Sequence, residues 1–415
     1  MKTVLKNKLF LTTFVADAIS NFGDTLYYLA LMNYVLLLPN SQLAISAVTL
    51  SETLPMLFSF AMGIKADQTK KKLEMIMGTL VLRVGLYSLI GFFMGFEPSL
   101  WVVLAASAIN FISDLAGQYE NGLYSPISLR VIKAEEREQA MAFRQSSFSL
   151  LSIVFKFSGA LLIAVMSYQH LAFFNAATFA VAALIMLVIK PKLTALLTAD
   201  PIKDVEAPIE RQNFLVQMWE SSKLVIREIK QIPALRTVMT VIPLMNAVFS
   251  GLDVLFLFAA SQNTNMIIVN LPFTLTLISA AAMSGRIIGG MLTMSVAKNW
   301  EVTKLVRLSA LAPAPLFLGL LLGNTYLMIA VLFVTMVNVG IVNPKMNALI
   351  MNELPEERLA TISSGISTYF TAGILLVRLL LSGLVLVLAP TPLASLFLIA
   401  SIALVIWTFF GNSRA

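Results

Sequence analysis

Long apolar runs and short polar interruptions alternate along this chain from one end to the other. Windows of about 20 mostly apolar residues, enough to cross a hydrocarbon core roughly 30 Å thick at 1.5 Å per residue, recur about twelve times. The predicted spans are roughly 9–38, 43–64, 73–95, 99–123, 140–166, 170–190, 234–260, 266–296, 305–323, 325–350, 360–389 and 392–411. All should be helices, because lipid-exposed strands of this kind would leave their amide groups unpaired. The pattern therefore predicts an all-α polytopic membrane protein. Composition agrees: 58% hydrophobic and 12% charged residues exclude an ordinary soluble fold, whose surface needs about a quarter charged residues.

A formal charge of +7 raises the question of nucleic acid, and its distribution answers it. With the N-terminus inside, the outer turns "PNSQ", "GFEPS", "SYQH", "SQNTN", "GNT" and "APTP" contain no Lys or Arg. The loops of the other side, "KTVLKNK", "KADQTKKK", "RVIKAEER" and the long 190–236 connector, are all basic. This asymmetry places both termini in the cytoplasm and makes the charge topological, with no nucleic-acid partner. The first apolar run is expected to be an uncleaved span, being too long for a signal and lacking a small-residue cleavage site. Cysteine is absent, which rules out disulfides and thiol chemistry. The one histidine, His170, falls at an outer helix end, where a polar interfacial role fits it better than a ligand or base.

Residues 191–233 interrupt the hydrophobic rhythm with Pro191, Pro201, Pro208, Pro233 and a charged stretch. They separate a first six-span half, 1–190, from a second, 234–415. Within the connector, "FLVQMWESSKLVIREIK" sets Phe214, Met218, Leu224 and Ile229 among charges, as an amphipathic helix on the cytoplasmic face would. The halves echo each other. "SPISLRVIKAEEREQAMAF" after the fourth span is repeated in outline by "NPKMNALIMNELPEERLATI" after the tenth, and "FGDTLYYLAL" in span one by "SGLDVLFLFA" in span seven. Six plus six duplicated helices are the signature of secondary transporters whose site lies at mid-membrane.

On these features the chain resembles the major facilitator superfamily over its whole length. The sharpest local match is "GIKADQTKKK", similar to the family's Gly-x-x-x-Asp-(Arg/Lys)-x-Gly-(Arg/Lys)-(Arg/Lys) loop: Gly63, Ala66, Asp67, Lys71 and Lys72 fit, and Gln68 and Lys70 depart. Gly63 would permit close helix approach, Asp67 would cap or pair across the domain gap, and the lysines would hold the loop inside. The loops "YSPISLRVIKAEEREQAMA" and "NPKMNALIMNELPEER", with "HLAFFNAATFAVAALIM", look like the branch of macrolide-efflux proteins and related drug:proton antiporters. Where such antiporters carry Gly-Pro in span five, this chain has Phe155 and Lys156 and keeps only Gly159; Asn110 stands near the place of a span-four arginine.

Each ionised group near the bilayer centre costs roughly 2.5–3.5 kcal/mol on insertion scales, so idle ones should be rare. Six acids (Asp17, Asp24, Glu52, Asp114, Glu120, Asp253) and four bases (Arg83, Lys156, Arg286, Arg378) fall at depth. Asp17, Asn21 and Asp24 share a helix face, as do Asn110, Asp114, Gln118 and Asn121. In the resembled family spans one, four, seven and ten line a central cavity, which would gather these faces with Asn246, Asp253 and Asn338 into a substrate and proton site. Structural polar glue is the competing role for the same carboxylates. The resemblance also sets span two beside span eleven, so Glu52 and Arg378 are expected to form a gate, with Lys156 neutralising an acid such as Asp24. Arg83 and Arg286 are read as structural.

The expectation is a major-facilitator-type fold of twelve helices in two six-helix bundles, in the cytoplasmic membrane of a bacterium. It would export amphipathic, cationic drug-like compounds in exchange for protons, as a monomer. A lipid or lysolipid flippase, a small-solute importer and a membrane sensor or assembly protein are the alternatives. No His or Cys cluster, nucleotide loop or serine-centred constellation is present, so neither enzyme activity, nor a metal, nor a cofactor is expected.

Overall fold

The computed structural model describes residues 2–35, 37–38, 41–203, 214–385 and 387–411, and every regular element among them is a helix. The first part of the chain forms α1 (Lys2–Lys6), α2 (Lys8–Val35), α3 (Ser41–Leu57), α4 (Ser59–Asp67), α5 (Lys72–Phe93), α6 (Leu100–Val131), α7 (Arg137–Val165) and α8 (Tyr168–Ala199). After the connector helix α9 (Phe214–Gln231) come α10 (Pro233–Phe249), α11 (Leu252–Gln262), α12 (Leu271–Thr293), α13 (Val302–Ser309), α14 (Pro313–Leu321), α15 (Thr325–Glu353), α16 (Leu359–Leu384) and α17 (Pro390–Ile406). Among the described residues ten helices are long and apolar enough to cross a membrane, eleven with the bent pair α3/α4. The aspartate-bearing α2 is not among them, since Asp17, Asn21, Asp24 and Asn33 lower its apolarity.

Three expected boundaries move, each for a local reason. The helix expected to end at 190 runs through Pro191 to Ala199, because the proline forfeits one amide donor while Lys192, Leu193 and Ala195 that follow are good helix formers. The span expected from 266 starts at Leu271: Asn270 caps it by accepting from the Phe273 amide (2.8 Å), and Val269, with φ of 63°, turns the chain just before. Span two is broken by 43° shortly after Pro55, and the Phe60 amide at the start of α4 donates to Thr368 Oγ1 (3.2 Å). Within the connector, Pro208 and its neighbours at 204–213 lie outside the described residues, as do Pro39 and Asn40 of the "PNSQ" turn.

The chain divides into two compact units. Unit 1 comprises Met1–Arg137, Leu150–Val225 and Met351–Thr368; unit 2 comprises Glu138–Ser149, Ile226–Ile350 and Tyr369–Ala415. Relative to the continuous halves expected, unit 1 takes in the start of α16 and unit 2 the start of α7. Both helices are introduced by the repeated Glu-Glu-Arg loops, and both loops fold alike, as a 3-10 turn at Ala134–Glu136 and at Glu356–Arg358.

In unit 1, α8 packs against α2 and α5. Their contact is aromatic: Tyr87 stacks on Phe179 with ring centroids 5.5 Å apart and meets Tyr27 edge-on at 4.9 Å, an arrangement that adds to area burial. Unit 2 has a core around Leu255, Phe256, Leu316, Phe317 and Leu393. There α12 and α15 cross at glycines. A Cβ on Gly285 would sit 2.6 Å from the Phe333 carbonyl oxygen, and one on Gly340 2.6 Å from the Arg286 carbonyl oxygen, so backbone meets backbone as small-residue membrane crossings allow.

Candidate functional site

Polar side chains inside unit 1 form several hydrogen-bonded groups. Asp24 on α2 pairs with Arg83 on α5, Nη2 to Oδ2 2.9 Å, and accepts from Asn175 Nδ2 on α8 (3.4 Å). The Arg83 guanidinium also donates through Nε to Ser113 Oγ (3.0 Å) and lies 3.9 Å over the Phe179 ring. One turn along α6, Asn110 is buried and shared. Its Oδ1 accepts from the Tyr87 hydroxyl (3.1 Å), and its Nδ2 donates to Glu52 Oε1 (2.9 Å) and, at longer range, to Asp114 Oδ2 (3.4 Å). Glu120 accepts from Thr79 Oγ1 (3.0 Å). Asp17 is held on its own helix by Asn21 Nδ2 (2.8 Å).

The chemistry follows from counting charges. Arg83 is the buried guanidinium among Asp24, Glu52, Asp114 and Glu120, and its own side chain is 9% exposed while that of Asp24 is 33% exposed. Asp24 is the carboxylate at ion-pair distance from Arg83 among the described residues, and it is the less buried member of the pair. This corrects one expectation: Arg83, not Lys156, neutralises Asp24, and such a buried ion pair is compatible with the structural role read for Arg83. Lys156 is exposed on α7 and makes no ion pair among the described residues. A helical wheel explains why: it lies opposite the lipid-facing stripe of Val154, Phe157, Leu161 and Val165, all exposed, on the polar face with Ser149 and Ser152.

The loop residues also find defined work within unit 1. Asp67 is buried at the end of α4, and its two oxygens accept the Ala360 and Thr361 amides at 3.2 and 2.7 Å. It thereby satisfies donors left open at the N-terminus of α16 and places negative charge at the positive end of that helix. Lys72, expected to serve as a loop anchor, is buried; its Nζ donates to the Ala66, Asp67 and Thr69 carbonyls at 2.6, 3.2 and 2.9 Å, closing the C-terminus of α4. Lys71 is exposed. Gly63 and Ala66 admit the neighbours: a Cβ on Gly63 would lie 2.5 Å from the Ala360 carbonyl oxygen, and one on Gly122 2.7 Å from Ala66 Cβ. Replacing Asp67 with alanine should cost about 1–2 kcal/mol of stability, in the range of lost caps. Asp67→Asn, which keeps an acceptor, should cost less. Melting curves of the two purified variants check this, and equal losses would refute the capping role.

Unit 2 carries a cavity of about 650 Å³, within the range of small-molecule sites. Asn246 and Asp253 line it, where the span breaks between α10 and α11, and so do Arg286, Arg378, Asn343 and Asn347. Asn338 does not. It donates to the Leu305 carbonyl (3.0 Å) and to Oγ of Ser309 (2.7 Å), itself a lining residue, on α13. Gln118 is half-buried on α6 in unit 1, while Glu52 and Arg378 fall in different units. Sequence reasoning passed over Tyr87, Ser113, Asn175, Asn343 and Asn347. Asn175 was the most visible of them, a lone amide in an oily span.

The arrangement is that of a many-span helical membrane protein with buried ion pairs and a ligand-sized polar cavity. The profile of the Major Facilitator Superfamily matches residues 9–377, and the chain belongs to that family. No sequence among the curated proteins matches it. Solved structures share its fold at low identity. A bacterial homologue of the iron transporter ferroportin, in an outward-facing state, aligns over 98% of this chain and 100% of its own with 12% identity and a TM-score of 0.71. The proton:xylose symporter XylE aligns over 96% and 95% with 12% identity and a TM-score of 0.62. The human organic anion transporter MFSD10 aligns over 95% and 98% with 14% identity and a TM-score of 0.60. At these identities the likeness establishes the fold alone.

Proposed function

We propose that this protein is a secondary active transporter that exports small amphipathic molecules across the cytoplasmic membrane in exchange for protons, by alternating access. It acts as a monomer with both termini in the cytoplasm, the side its basic loops favour. The observation that carries the coupling is the Asp24–Arg83 pair, one member buried and the other a third exposed. A proton reaching Asp24 removes the charge that holds Arg83, and the guanidinium then turns to the remaining carboxylates of unit 1. Such an exchange of partners is a two-state element that a proton gradient can bias. Export rather than import rests on the likeness of the loops to the efflux branch. A cationic cargo is the expectation from the acids; in unit 1 Asp24 pairs with Arg83, while Glu52 and Glu120 accept from the uncharged Asn110 and Thr79.

The test is uptake of a substrate panel into inverted vesicles with an imposed pH gradient, comparing the wild type with Asp24→Asn and Asp114→Asn. Both variants should lose gradient-driven accumulation by at least about tenfold, the scale set by removing one charged hydrogen-bond partner. If both accumulate every substrate as fast as the wild type, the carboxylates have no part in coupling. A sensor or assembly protein would show no flux in any form.

A further inference from the structure

The cavity of unit 2 has a charge pattern that proton coupling does not explain. Two arginines, Arg286 and Arg378, line it against one acid, Asp253. Both arginines are exposed, and among the described residues no carboxylate lies within ion-pair distance of Arg286. Their placement is built into the helices. The glycine crossing with α15 fixes α12, on which Ser279, Ala282 and Arg286 follow one face into the cavity; on α16 Phe370, Ile374 and Arg378 do the same at four-residue intervals. Guanidinium groups are expensive at membrane depth, so two lining one cavity mark a function. Their planar forks match carboxylates.

A second cavity of about 280 Å³ adjoins the first, sharing Leu252, Asp253, Ile278, Ser279 and Leu332 with it. The rest of its lining is apolar, from Phe256, Leu257, Leu275, Leu316 and Met328. We infer that the two cavities together bind an anionic amphiphile, its carboxylate held by Arg286 and Arg378 and its apolar body lodged in the smaller chamber. Asp253, at the junction, repels a second negative charge and accepts a hydrogen bond from any hydroxyl or amine the molecule carries. The physiological use of this site rests on the transporter reading, whereas binding itself needs no turnover.

The experiment is isothermal titration of the purified full-length protein in nanodiscs of zwitterionic lipid, using 4-phenylbutyrate and 4-phenylbutylammonium, which share a body and differ in charge. The wild type should bind the carboxylate at least about tenfold more tightly. Arg286→Gln and Arg378→Gln should each weaken it by about ten- to a hundredfold, the loss of one charged hydrogen-bond donor, and should not weaken binding of the ammonium probe, which loses a like-charge repulsion. Asp253→Asn should strengthen carboxylate binding by about threefold or more through loss of a like charge, a gain that a misfolded variant cannot produce. Equal or tighter binding of the ammonium probe, indifference of both arginine variants, or no binding of either probe would overturn the assignment. Carboxylate binding in a protein that moves no solute in vesicles would sink the transporter reading and leave the site standing. Proton-driven flux of a cation, with 4-phenylbutyrate unbound, would do the reverse.

Discussion

Arg83→Leu should lower the melting temperature of the purified protein by about 6–12 °C and abolish proton-driven uptake. Removing one partner of a buried ion pair typically costs about 3–5 kcal/mol, because the other charge is left uncompensated. Asp24 keeps a third of its side chain exposed, so the lower end, about 3 kcal/mol, is appropriate here, and each kcal/mol corresponds to roughly 2–4 °C in a domain of this size. Three further contacts go with the guanidinium: the bond to Ser113, the Phe179 ring and the screening of the nearby carboxylates. The informative comparison is Arg83→Leu with Asp24→Asn in one protein. Removing both charges should recover most of the stability, since a neutral pair needs no partner, but should not recover uptake, which requires a proton acceptor. A single variant that melts within about 2 °C of the wild type would show that the pair does not hold unit 1 together. A double variant that transports normally would separate the pair from coupling.

The second large effect is steric. Gly340→Leu should leave little folded protein, because even its first carbon would lie 2.6 Å from the Arg286 carbonyl oxygen and 2.9 Å from Gly289 Cα. Neither neighbour is a flexible side-chain end, so α12 and α15 must separate. Overpacking at a movable site costs about 1–3 kcal/mol; backbone against backbone should exceed that. Gly85→Leu on α5 is the control. A Cβ there meets nothing within 4 Å, and replacing an exposed helical glycine gains up to about 1 kcal/mol of helix propensity. Yield of monodisperse protein and melting temperature in detergent distinguish the two. Equal behaviour of Gly340→Leu and Gly85→Leu would mean that the crossing is looser than described. Because Arg286 rides on the same crossing, Gly340→Ala should also weaken 4-phenylbutyrate binding if it folds.

Much of this protein was written in the one-dimensional pattern. Runs of about 20 apolar residues can only be helices in lipid, and the basic loops fall on alternate turns. The repeated Glu-Glu-Arg segments were readable as a duplication, and each does precede a helix with the same local turn. The family followed from "GIKADQTKKK" and the span count, and the profile match over 9–377 agrees. Helical spacing also put Asn110 and Asp114 on one face, where they are in contact.

Partner choice was not written there. Whether Asp24 meets Lys156 or Arg83 depends on how α2, α5 and α8 are rotated about their axes, and the Tyr27, Tyr87 and Phe179 packing sets that rotation through contacts between residues 27 and 87 and between 87 and 179, far apart in sequence. The same holds for Asn338 and Asn246. Both are amides in the middle of apolar spans, but one bonds α13 and the other lines the cavity, a difference of rotation that hydropathy cannot carry. The expectation of a cationic cargo came from carboxylates that the resemblance gathered in one central cavity; the fold puts most of those acids in unit 1, and two arginines line the cavity of unit 2. The sequence determined what must lie in the membrane, because burying apolar surface is a sum over residues. Only the tertiary structure decided which charges pair and which line a cavity, because Coulomb energy depends on pairs and their distances.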